Sequence, residues 1–80
     1  MPRYILQHQH AADECPAAFA AWQGFSSPLR HHGAASTCLA GGHAVWWTVE
    51  AGDEDAALAL VPPFVRVRTR PTEVREVEIP

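Results

Sequence analysis

Five histidines and two cysteines stand in a chain of 80 residues, and these are the side chains best suited to chemistry. Neutral imidazole and thiolate are ligands for zinc, nickel and copper. His8 and His10 stand two apart, so on a strand both rings project to the same side and can meet one ion. Cys15 follows at a point where a helix begins. A helix N-terminus favours thiolate, so its pKa is expected to fall. Asp13 or Glu14 is placed to orient a ligating imidazole from behind. Cys38 and His43 flank the Gly41-Gly42 pair. Their spacing matches no standard zinc finger, and no C-x-x-C pair is present.

Other residues invite weaker readings. His31 and His32 are adjacent, a poor geometry for chelating one ion. They read as part of a solvated loop that can act as a lid. Arg66, Arg68, Arg70 and Arg75 could grip an anion, or pair with Glu73, Glu76 and Glu78. Trp46 and Trp47 are candidate substrate contacts if the aromatic residues line a pocket rather than simply fill the core. No phosphate loop or Ser-His-Asp order is present.

The elements that must position these groups follow from apolar pattern and glycines. Arg3 to His10 alternates as a strand, with Tyr4, Leu6, His8 and His10 on one face. A helix is expected from Ala12 or Asp13 to about Gln23, ended by Gly24. Residues 24–34 read as a surface loop. Ala35 to Ala40 and His43 to Ala51 read as strands of a hairpin turning at Gly41-Gly42. A second helix is expected from Gly52 through Val61, disturbed by Pro62-Pro63. Phe64 to Arg70 reads as a helical tail or extended loop, and Thr72 to Ile79 as the last strand.

The order β-α-β-β-α-β predicts an α+β, ferredoxin-like single domain over residues 1–80. It has an antiparallel sheet with two helices on one face. The first and third strands are then central antiparallel neighbours. That arrangement brings His8, His10, Cys15, Cys38 and His43 to one end of the sheet.

Composition narrows the function classes. Hydrophobic residues make up 48% of the chain and charged residues 19%, against an average near 25% charged. So small a chain buries a limited core and gains from a metal, a disulfide or a second copy. A homodimer through the uncovered sheet face is therefore expected. A net charge of −3 argues against nucleic acid or a membrane surface as partner. No apolar run is long enough for a membrane span. The start MPRYILQHQH lacks a signal-peptide core, so the expected location is cytoplasmic. There a Cys15–Cys38 disulfide is not expected.

The start M-P-R-Y-I, the element order and the end T-E-V-R-E-V-E-I resemble small actinobacterial-type proteins of the dimeric α/β-barrel superfamily. The chain looks most like short nickel-responsive, nickel-binding proteins of that group. The same superfamily includes muconolactone-isomerase-like enzymes and small cofactor-free monooxygenases. The resemblance implies a ferredoxin-like dimer and assigns no ligand positions. The leading expectation is a small transition-metal-binding protein holding nickel, zinc or copper at the His/Cys end. The competing one is a small isomerase or cofactor-free monooxygenase. It would act on a small aromatic or apolar substrate near Trp46 or Trp47, with a histidine as general base. A Cys15-based redox or haem-linked module and a purely structural subunit are further readings.

Overall fold

The computed structural model describes residues 1–80. Its elements in chain order are β1 (Arg3–Gln9), α1 (Cys15–Ala20), β2 (Ala35–Ser36), β3 (Ala44–Glu50), α2 (Glu54–Leu58), α3 (Pro63–Arg66) and β4 (Thr69–Val74). Short 3-10 turns at Ala12–Glu14 and Cys38–Ala40 complete the list. The result is a small α+β domain with an open antiparallel sheet of four strands in the order β2-β3-β1-β4.

Period-two patterning sets the two central strands. Tyr4, Leu6 and His8 of β1 lie opposite Val49, Trp47 and Val45 of β3, all on one face. On that face Tyr4, Leu6, Val49 and Ala51 join Ala57 of α2, Val61 of the α2–α3 link and Val65 of α3 in a single apolar core. Trp22, Trp47 and Phe64 pack around it. The opposite face carries Ile5 and Trp46 among Arg3, Gln7, Thr48 and Arg70, so it is far more polar than the core face. Only 12 of the 80 residues are buried, which leaves little apolar burial to hold the fold. No helix is long and apolar enough to cross a membrane.

Several expected boundaries move. The second strand ends at Ser36, and Cys38 lies in the following 3-10 turn rather than on a strand. The first helix is broken into a turn and a short helix ending at Ala20. The second helix spans only Glu54–Leu58, capped by Asp53, whose carboxylate accepts the Ala56 N–H at 2.8 Å. Pro62 and Pro63 do not merely end it. Pro63 opens α3, where a proline at the first helical position loses no hydrogen bond. The last strand therefore starts at Thr69 and ends at Val74. Val77 and Ile79, expected on it, are exposed beyond its end.

Candidate metal centre

The strand ladder does the first part of the positioning. Gln9 pairs with Ala44, and the His10 N–H donates to the His43 carbonyl at 3.0 Å. The two histidines thus sit side by side at one end of the sheet. The chain turns through Ala12–Glu14 and enters α1 at Cys15, with Pro16 in its first turn. Glu14 fastens this corner. Its carboxylate accepts the Ala11 N–H at 2.9 Å and the Arg68 guanidinium at 2.7 Å. The Arg68 hydrogen bond, with the Ala11 N–H behind it, holds the Glu14 carboxyl below its usual range.

Thr37 organises the other corner. Its carbonyl accepts the Ala40 and Gly42 N–H groups at 2.9 and 2.8 Å. Its hydroxyl accepts the Ala44 N–H at 3.1 Å. Gly41 turns the chain with φ +90°, and a Cβ at Gly42 would stand 2.2 Å from the Thr37 hydroxyl oxygen. The Gly-Gly pair is thus a steric requirement. It brings the Cys38 and His43 side chains to the same point as His10 and Cys15.

The side chains of His10, Cys15, Cys38 and His43 converge, with all four ligand atoms within 4.8 Å of one another. His10 Nε2 lies 3.1 Å from Cys15 Sγ and 3.9 Å from Cys38 Sγ, and Cys15 Sγ lies 3.2 Å from His43 Nδ1. A tetrahedral ion with bonds of about 2.3 Å to sulfur and 2.0–2.1 Å to nitrogen sets such pairs about 3.5 Å apart. The observed distances bracket that value. Both cysteines are free thiols, so an ion and a thiolate pair can replace two S–H groups. The four residues could hold a metal ion.

His8 stands apart from this cluster. It is 1% exposed, and its Nε2 lies 2.8 Å from His10 Nδ1. Burial first, and repulsion from His10 second, pulls its pKa below the usual imidazole value, so the ring is neutral near pH 7. The network then assigns the protons. Thr69 donates its hydroxyl to the Val65 carbonyl at 2.6 Å and lies 3.4 Å from His8 Nδ1. His8 keeps its proton on Nδ1, facing Thr69, and accepts from His10 Nδ1–H through Nε2. The lone pair of His10 Nε2 is thereby left facing the two thiols. Sequence reasoning put His8 among the ligands, but the structure places it behind one, fixing the tautomer and aim of His10. That role was expected of Asp13 or Glu14, and Glu14 is instead engaged by Arg68.

The expected drop in the Cys15 pKa is also corrected. Partial burial, followed by the neighbouring Cys38, pushes this thiol up. The helix it opens has six residues, and its dipole does not outweigh desolvation. Both thiols must shed protons to an incoming ion.

A cavity of about 350 Å³ adjoins the cluster. His8 and His10 lie on one side of it, Trp22 and Trp47 form walls, and Arg30, His31 and His32 stand at its edge. Of the two tryptophans proposed as substrate contacts, Trp47 lines this cavity. Trp46 points to the opposite face of the sheet, toward a separate groove with Ala35 and Thr48. The sequence marked His31 and His32 as a loop able to act as a lid, and gave no signal for Arg30 beside them. No protein-family model matches the chain, and no curated protein or solved structure was found similar to it.

Proposed function

We propose that this protein binds one transition-metal ion through His10 Nε2, Cys15 Sγ, Cys38 Sγ and His43 Nδ1, and that the ion is zinc. The observation that carries this is the convergence of two imidazole nitrogens and two sulfurs from four separate segments, within 4.8 Å. A donor set of two sulfurs and two nitrogens at tetrahedral spacing suits zinc. Nickel, the ion that the resemblance read from the sequence would imply, and copper are the competitors. Four protein donors close the coordination shell, which suits an ion that holds the fold together rather than one that activates water. A domain with so few buried residues gains most from such a tie.

The reading extends to a ferredoxin-like homodimer of the dimeric α/β-barrel type. The strand order, with β1 and β3 central, supports that plan. Ile5, Ala44, Trp46 and Val74 on the open face are apolar residues available for contact between copies. The cavity beside His8 and His10 favours a second reading, a small isomerase or cofactor-free monooxygenase with an imidazole base.

Native mass spectrometry with elemental analysis, on tag-free protein purified without chelator, tests all of this. The expected result is one zinc per chain in a dimer, with none bound by the Cys15→Ser/Cys38→Ser variant. A wild-type chain that stays free of metal after incubation with zinc, nickel and copper overturns the metal reading. It would leave the imidazole-base reading to be tested.

A further inference from the structure

We infer that the cavity beside the metal centre is a binding site for a small aromatic carboxylate, its ring against Trp22 and Trp47 and its carboxylate on Arg30. This goes beyond the metal reading and does not depend on an ion.

The cavity, at about 350 Å³, falls at the small end of the range for ligand sites, about 300–1,000 Å³. That suits a molecule of one or two rings. Trp22 and Trp47 stand with ring centroids 5.5 Å apart and planes tilted by 49°, forming an aromatic corner. Phe19 lies at the same cavity and is 59% exposed. In a chain with so small a core, this much aromatic surface around a void is surface left for something else to cover.

Charge selects the ligand. No Asp or Glu lines the cavity, while Arg30, His31 and His32 do. Arg30 is half-buried, yet its guanidinium makes a single hydrogen bond to the protein, a long one of 3.4 Å from Nη1 to the Phe25 carbonyl. The single ion pair of the protein is Glu14–Arg68, so no carboxylate neutralises Arg30. A half-buried guanidinium at the cavity with open donors is complemented by a carboxylate, which its planar fork matches. A bare anion would leave the tryptophans uncovered, and a neutral arene would leave the guanidinium unpaired. The backbone beside Arg30 is specialised as well. His31 is the one non-glycine residue at positive φ, 66°, a conformation uncommon for residues with side chains.

The test is calorimetric titration of the purified protein, with its own metal, against benzoate, benzyl alcohol and acetate. Benzoate should bind saturably, and the alcohol and acetate should each bind at least about tenfold more weakly, the size of one charge-assisted contact. Arg30→Gln should reduce benzoate to the level of benzyl alcohol. Trp22→Leu should weaken benzoate and the alcohol alike. Benzoate binding no tighter than the alcohol, or no saturable binding at millimolar concentration, overturns the proposal. So does benzoate binding that survives Arg30→Gln, which would put the carboxylate elsewhere, including on the ion. If a variant fails to fold, the three-ligand comparison on the wild-type protein still decides.

Discussion

The same two strands build two unlike ends of this molecule. At one end Tyr4 and Leu6 of β1 face Val49 of β3, and Ala57, Val61 and Val65 close over them. At the other end the same inward-facing register presents His8 and His10, and Cys15, Cys38 and His43 replace the apolar cover. The first end is held by surface removed from water, which needs no third component. The second gathers donor atoms that could hold an ion and whose mutual attraction without one is slight. From Leu6 to His10 burial alone does not tell the two ends apart, since Leu6, His8 and His10 are 0%, 1% and 5% exposed, although Cys15, Cys38 and His43 are only half-buried. Chemistry does. A small fold can finish its interior with a coordination shell where it lacks the volume for more hydrocarbon.

The largest expected effect lies at the apolar end. Leu6→Ala should cost about 2–5 kcal/mol in urea unfolding, by the same amount with and without chelator. A cost that changes on chelation would mean the two ends are not separable. At the other end, His8→Leu should keep the fold but weaken zinc about 10–100-fold in a competition titration against a coloured chelator, because it frees the His10 tautomer. Unchanged affinity would reduce His8 to a packing residue. Gly42→Ala should cost about 1–3 kcal/mol by forcing Thr37 aside. Its damage, read by hydrogen exchange, should be confined to residues 37–44. Spread into Leu6 and Val49 would again erase the contrast.

The smallest effect is the Glu14–Arg68 pair, which is part-exposed. The folded-state pKa of Glu14 is lowered. Its contribution is therefore present above the ordinary carboxylate value and lost as pH falls through the lowered one. The difference in melting temperature between wild type and Arg68→Gln, both metal-free, should shrink over that window. A difference that stays constant with pH would assign the effect to Arg68 packing on Phe64, whose ring centre lies 3.8 Å away.

Much of this contrast was legible in the chain. Alternation from Arg3 to His10 and from Ala44 to Glu50 gave both central strands. Their antiparallel pairing brought the end of one beside the start of the other, and with it His10 beside His43. The glycine pair implied the turn that returns Cys38 to the site. The division of labour between His8 and His10 was not legible. The two share a face, and which nitrogen meets which neighbour depends on Thr69 and the Val65 carbonyl, contributed from far along the chain. The late boundaries were missed for a local reason. Phe64 to Arg70 read as a helical tail or extended loop, and α3 takes its first part, but Thr69 and Arg70 already belong to β4, ahead of the expected start at Thr72. Arg30 was missed because no periodic pattern marks a loop residue, and only the folded chain shows that nothing neutralises it.

The order of the donors along the chain has a consequence in time. His10, Cys15, Cys38 and His43 all precede β3, whereas Ala57, Val61 and Val65, which close the core, come after it. A ribosome delivers the N-terminal part first. Every candidate donor has therefore left the exit tunnel before Ala57, Val61 and Val65 arrive to close the core, and a metal ion can meet the complete set while the core is still being made.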